Sequence, residues 1–326
     1  MNRPYVRLES ICTVLFASLS VGAGCRSPLT AQAPDDAPTQ RRILTIDDQF
    51  LIQRVGSPRL SPDGRHVAYT VGTTDLDTNS SETRIWLVDL DGGAPTPMTG
   101  KGSSGSSPRW SPDGGRLSFL AARDGGKTQV WALDLIHGGE AVRITDVEEG
   151  VSGYAWAPDG QRLVLVMKDP APEKNPAAKT RSGEEIPEPW VIDRLQFKQD
   201  YVGYLDRRRD HLYGYDLATG ETVQLTSGDY DDSEPVWSPD GGTIAFVSNR
   251  TEEPDANFNT DIWLVDVVDP GSQDHPVRVT TNPGADRSPA WSPDGTRVAY
   301  ITETDPAHAP YDVPMVAVIQ PGHPPM

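Results

Sequence analysis

Pro62-Asp63-Gly64 returns at Pro112-Asp113-Gly114, Pro158-Asp159-Gly160, Pro239-Asp240-Gly241 and Pro293-Asp294-Gly295, and these five copies organise most of the 326 residues. Proline presets φ at the second position of a type I turn, aspartate bonds back to the nearby backbone, and glycine takes the positive φ that closes a hairpin. The Asp and Gly of each copy are therefore assigned a structural role, as the bend of a tight β-hairpin. In four copies a tryptophan stands three residues before the aspartate (Trp110, Trp156, Trp237, Trp291), and Leu60 takes that place in the first. Each repeat thus also carries a core position.

The residues after each turn are apolar or alternate, as in Val67-Ala68-Tyr69, Leu163-Val164-Leu165-Val166 and Ile244-Ala245-Phe246-Val247. Their β-branched and aromatic content marks them as strands. A third strand ending in Asp follows (Ile85 to Asp89, Val130 to Asp134, Leu212 to Asp216, Ile262 to Asp266). A short fourth ends in Thr (Val142 to Thr145, Val223 to Thr226, Val277 to Thr280, and more weakly Pro97 to Thr99). A four-stranded unit repeated in this way is the blade of a β-propeller.

Successive turn aspartates are separated by 50, 46, 81 and 54 residues, so one blade carries an insertion, at about 168–209. Its first part, Asp169 to Glu188, reads as a solvated loop, and Trp190 to Leu205 has the apolar content for added strands. The fifth unit holds its first hairpin and a third strand at Met315 to Ile319, with no obvious outer strand. The sequence therefore predicts an all-β chain of four complete blades plus a partial fifth. Either the stretch from Ile43 to Arg59 closes the ring, or the blades form an open arc of a larger propeller.

Glycine and proline, 30 of each, with 7% aromatic residues, suit short strands and many turns. A net charge of −18 argues against nucleic acid, which requires a basic face. Arg3 and Arg7 precede an apolar run from Ile11 to Gly24, too short for a membrane span and right for a signal-peptide core. Residues 1–24 are accordingly read as a signal peptide, 25–40 as a polar tether and 41–326 as the propeller. Val21-Gly22-Ala23-Gly24-Cys25 resembles a bacterial lipoprotein signal, which makes Cys25 a lipidation site and the chain a periplasmic or membrane-anchored protein. Gly22 stands where that signal usually has Leu, and ordinary cleavage near Ala23 or Ala33 is the alternative, with Pro34 disfavouring the second site. The membrane is met through the lipid alone. With Cys12 removed, the mature chain has no internal disulfide.

Two segments carry a resemblance. Leu44-Thr45-Ile46-Asp47-Asp48, continuing through Arg54-Val55-Gly56-Ser57-Pro58-Arg59, and Gly228-Asp229-Tyr230-Asp231-Asp232-Ser233-Glu234-Pro235 resemble the propeller of prolyl oligopeptidase family serine peptidases, in the acylaminoacyl-peptidase and dipeptidyl-peptidase branch. The generic Trp-Ser-Pro-Asp-Gly is shared with TolB/WD40-like propellers. The resemblance covers about residues 43–320. It implies a non-catalytic propeller that screens peptide substrates for a C-terminal α/β-hydrolase domain, with no cofactor. A TolB-like propeller that binds an envelope protein is the alternative.

Catalytic machinery is not legible in these residues. No Gly-x-Ser-x-Gly occurs, the nearest being Gly150-Val151-Ser152-Gly153, and the chain alone is therefore read as no enzyme, with no catalytic residue. His66, His137, His211, His275, His308 and His323 are expected at the surface. Asp255, Asn257, Asn259 and Asp261 alternate as in a calcium loop, but Thr260 stands where that loop needs Gly, and no metal site is assigned. Asp229, Asp231 and Asp232 read as a polar turn. Thr45 and Asp48 form a capping-box-like start to a short helix.

Overall fold

The computed structural model describes residues 43–171, 191–192, 194–200, 202–267, 276–305 and 313–321. The signal peptide, the tether, Cys25, His275, His308 and His323 lie outside them. The chain divides into two units, residues 1–45 and 46–326, and the helix and strands of the described residues lie in the second. Among the described residues no helix is long and apolar enough to cross a membrane.

Five antiparallel sheets follow one another in chain order. The first holds Arg54–Leu60 (β1), His66–Asp75 (β2), Ser80–Asp89 (β3) and Thr96–Pro97 (β4). Ser106–Trp110 (β5), Arg116–Ala121 (β6), Gln129–Asp134 (β7) and Val142–Arg143 (β8) make the second. In the third, Gly153–Trp156 (β9) and Arg162–Lys168 (β10) are followed by an inserted pair, Lys198–Gln199 (β11) and Gly203–Tyr204 (β12), before Asp210–Asp216 (β13) and Thr222–Gln224 (β14) complete the sheet. Asp232–Trp237 (β15), Thr243–Ser248 (β16), Asp261–Asp266 (β17) and Val277–Arg278 (β18) form the fourth. The fifth has three described strands, Asp286–Trp291 (β19), Val298–Thr302 (β20) and Met315–Ile319 (β21). The first strands of successive sheets approach one another, which sets them beside a common axis.

The Pro-Asp-Gly turns are built alike. In the fourth sheet the Gly241 N–H donates to the Ser238 carbonyl, Asp240 accepts from the Gly242 N–H, and Gly241 sits at φ 71°. From the second turn onward each glycine also stands over the proline of the preceding turn: a Cβ at Gly114 would lie 3.7 Å from Pro62, and one at Gly241 would lie 3.6 Å from Pro158. The repeated Trp is a clasp between sheets. Trp110, Trp237 and Trp291 donate their indole N–H to the carbonyls of Arg59, Ala155 and Val236, each one residue before the repeat position of the preceding sheet. Trp156 reaches its counterpart through a relay, donating to Ser118 Oγ at 2.8 Å, whose hydroxyl donates to the Arg109 carbonyl.

Four apolar clusters fill the four gaps between consecutive sheets, with Phe119 and Ile85 in the first gap and Phe246 and Val166 in the third. Full burial of such a side chain stabilises the fold by roughly 1.5–3 kcal/mol. Among the described residues no fifth cluster joins the last sheet to the first. β1 pairs with β2 as the first sheet's own edge strand, so the stretch from Ile43 to Arg59 does not close the ring, and the sheets form an arc.

One sequence expectation changes in detail. The fourth strands stop short of their threonines, because Thr99, Thr145, Thr226 and Thr280 use the side chain instead. Their hydroxyls accept from the backbone N–H of Ile85, Val130, Leu212 and Ile262 at 2.9–3.0 Å, in place of a ladder carbonyl. The expected short helix is a single turn, Asp48–Leu51, with Asp47 at its N-cap.

Candidate functional site

The insertion is where the repeat chemistry is interrupted, and its arginines decide how it sits. Arg194 makes a two-pronged contact with Asp255 at 2.8 and 2.9 Å and donates to the Asp206 carbonyl. Arg209, almost wholly buried, reaches Asp229 at 2.8 Å and Asp231 at 3.0 Å, with Asp255 at 3.4 Å. Arg208 joins Asp206 to Glu149. The inserted segment is thereby pinned to the loop after β16 and to the connectors before β9 and β15. Paired planar donors of this kind fix orientation as well as charge.

Behind these contacts lies a buried triad. Asp232, with no exposed surface, accepts from His211 Nδ1 at 3.1 Å and from Arg250 Nη2 at 3.0 and 3.2 Å. The other ring nitrogen of His211 meets the Gly228 carbonyl at 3.1 Å and Asp169 at 3.5 Å. The Arg250 guanidinium lies over the rings of Tyr230, Phe246 and Trp263. Burial pushes the His211 imidazole down, but Asp232 and Asp169 outweigh it and hold it above the usual histidine range. For Asp232 burial acts upward, and His211 and Arg250 win, keeping the carboxyl below the usual range.

A cleft of about 610 Å³ opens between the insertion and the loop after β16, lined by Ile192, Arg194, Arg209, Asp229, Glu253 and Asp255. A larger one, about 810 Å³, lies beside the single-turn helix against the end of β2 and the start of β3. The smaller is the better candidate because it adjoins the buried ion network and the insertion forms one wall. Charged groups on both sides suit a polar, chain-like ligand. Among the described residues that line the cleft there is no serine, threonine or cysteine. Ser152, in the motif nearest a nucleophile elbow, donates its hydroxyl to the Val166 carbonyl at a sheet edge.

Two sequence expectations are corrected. His211 is buried, not superficial, because its strand start faces Asp232 of the next sheet; His137 is exposed. Asp232 belongs to the core rather than to a polar turn, while Asp229 and Asp231 are spent on Arg209. The alternating run from Asp255 to Asp261 converges on no common centre. Asp255 faces Arg194, the Asn257 side-chain oxygen Oδ1 accepts from Asn249 and from the Asn259 N–H, and Asp261 is paired with Arg278. A legible signal for the network existed: Arg207-Arg208-Arg209-Asp210-His211 is a basic run set directly before a strand in an acidic chain, followed about twenty residues later by Asp229, Asp231 and Asp232.

Residues 42–185 match the family model described as the TolB beta propeller domain. The chain is 31% identical over 225 residues to the uncharacterized peptidase YuxL of Bacillus subtilis, covering 69% of this chain and 34% of that protein. It is 27% identical over 291 residues to dipeptidyl-peptidase 5 of Porphyromonas endodontalis, covering 82% and 40%. Among solved structures it resembles an acylaminoacyl peptidase of Pyrococcus horikoshii (TM-score 0.58, 19% identity, 83% of this chain and 38% of that one). It also resembles the putative TolB of Agrobacterium tumefaciens (TM-score 0.54, 22% identity, 82% and 77%). The chain thus spans between about a third and two fifths of the length of these two curated relatives.

Proposed function

We propose that this TolB-like β-propeller, related in sequence to peptidases, is the non-catalytic, substrate-admitting portion of a secreted prolyl oligopeptidase-like serine peptidase. The α/β-hydrolase chemistry would be supplied by polypeptide outside these residues. One observation carries the reading: similarity to peptidases runs over most of this chain yet over only 34–40% of theirs, and the sequence has no Gly-x-Ser-x-Gly. The cleft beside the insertion supports it, since its polar walls suit an extended peptide whose backbone groups need partners. The signal-peptide pattern before Cys25 supports export, with lipidation of Cys25 as the anchor to the envelope.

The test has two parts. The purified chain should take up no fluorophosphonate label, and clear labelling would end the claim that it does no chemistry. A reading frame running on past residue 326 into a Gly-x-Ser-x-Gly with later Asp and His is expected, and a stop followed by an unrelated gene would refute the peptidase assignment. The TolB description of the family model favours a second reading, an envelope-anchored propeller that binds a protein partner. A specific partner recovered by cross-linking in intact cells, together with that stop, would establish it.

A further inference from the structure

The position before the repeat tryptophan breaks its own rule in the first two sheets. In chain order it holds Arg59, Arg109, Ala155, Val236 and Ala290. Ala155 and Val236 pack against the apolar clusters that join their sheets to the next. Arg59 and Arg109 bring a guanidinium to the same place on neighbouring inner strands, β1 and β5. Register confirms the equivalence: Arg59 stands opposite Ala68 and Arg109 opposite Ser118, as Val236 stands opposite Ala245.

The chain supplies these two cations with no counter-charge. Among the described residues no carboxylate pairs with either side chain, and the half-buried Arg109 donates only from Nη1 to the Pro108 carbonyl, at 3.3 Å. The turn carboxylates nearby are committed: Asp63 and Asp113 each accept from a serine hydroxyl and a backbone N–H of their own turns. Tyr154 of the next sheet donates its hydroxyl to the Ser107 carbonyl and lies 2.9 Å from Ser118 Oγ. Burial pushes the Arg109 guanidinium down, and Arg59 beside it pushes the same way. In a chain of net charge −18, two like charges held together at a core position without a carboxylate mark a place for one brought from outside.

We propose that Arg59 and Arg109 bind the carboxylate of a ligand at the inner strands of the first two sheets, either a peptide C-terminus or an acidic side chain. The forked N–H groups of a guanidinium match the two oxygens of a carboxylate, which is the chemistry the pair offers. This subsite lies near the ends of β1 and β5, by the Pro-Asp-Gly turns, whereas the cleft beside the insertion adjoins the starts of β13 and β15. The two sites are separate, and the inference needs no peptidase role.

The test uses N-acetyl-tetraalanine as free acid and as amide, and N-acetyl-alanyl-aspartyl-alanine amide, all at constant ionic strength. Trp110, next to Arg109 and hydrogen-bonded to the Arg59 carbonyl, supplies the readout through its emission. At least one of the two acidic peptides should change that emission saturably below about 20 mM, and the neutral amide should not. The tighter of the two acids tells terminus from side chain. Arg59→Gln and Arg109→Gln should each weaken binding at least about tenfold, while Arg143→Gln, which removes a surface partner of Asp146, should leave it unchanged. Without ligand, Arg109→Gln should match or exceed the wild-type thermal midpoint, because it removes a desolvated charge that has no partner. A fall of more than about 4 °C makes Arg109 a structural group and overturns the proposal. So do a silent response to both acids, an equal response to the free acid and its amide, binding that survives both substitutions, or inorganic phosphate acting as well as the carboxylates.

Discussion

Replacing Asp232 by alanine should be among the most damaging single changes outside the apolar core, and should reverse the pH dependence of stability. The carboxylate has no exposed surface and faces the His211 ring at 3.1 Å and the Arg250 guanidinium at 3.0 Å. Removing one member of a buried ion cluster costs about 3–5 kcal/mol, because the remaining charges stay desolvated without a partner. Arg250 keeps its three aromatic neighbours, which places the expected loss near the lower end, about 3 kcal/mol. At about 2–4 °C per kcal/mol that is a fall of roughly 6–12 °C in the thermal midpoint, followed by far-UV circular dichroism or tryptophan emission. In the wild type the raised pKa of His211 means that its contribution is fully present below about pH 6.5, the ordinary value for histidine, and is lost as pH rises through the folded-state value. Asp232→Ala leaves a buried imidazole without its principal carboxylate, and burial then favours the neutral ring. The variant should therefore gain stability as pH rises from about 5 to 8, where the wild type loses it. A loss below about 1 kcal/mol, or parallel pH profiles for the two proteins, would refute the triad as a structural unit.

Gly241→Ala should cost about 1–2 kcal/mol through its backbone alone, since φ is 71° and the new Cβ meets nothing nearer than 3.6 Å; Gly241→Asn should cost less, as read from denaturant midpoints. Ser118→Ala breaks the relay and leaves the Trp156 indole and the Arg109 carbonyl without their shared hydroxyl, for a loss of about 1–3 kcal/mol; an unchanged midpoint would contradict the clasp. Arg209→Ala should raise the rate of subtilisin cleavage within residues 191–209 several-fold while shifting global unfolding by much less, because Asp229 and Asp231 return to water and Arg194 still holds Asp255.

The sheets were legible because their bends have local chemistry. Pro112, Asp113 and Gly114 shape the same turn wherever they stand, so five copies announce five hairpins without knowledge of what lies between them. The insertion was legible by subtraction, from a spacing of 81 where its neighbours are 46 and 54. The triad was not. Eighteen to twenty-one residues separate Asp232 from Arg250 and His211, and the starts of β13 and β15 and the loop after β16 converge to bring them together, so no local pattern distinguishes this aspartate from one in a polar turn. The threonines were half legible: their recurrence showed, but not that a hydroxyl replaces the ladder carbonyl.

The tryptophans explain why a repeat can be read so well and still say little about chemistry. Trp237 is fixed by its own turn, but its indole is satisfied by Ala155, in another sheet and 82 residues away in the chain. Every copy is therefore selected by its neighbour, and any side chain used in this way is unavailable to a ligand. Leu60 fits the same logic from the other side: ahead of the first sheet there is no described carbonyl to receive an indole, and the position no longer needs a donor. Ligand-directed groups should then collect where the neighbour rule lapses, beside the insertion and at the Arg59 and Arg109 positions. In these two places arginines and carboxylates stand where a regular repeat would have turns and aliphatic side chains.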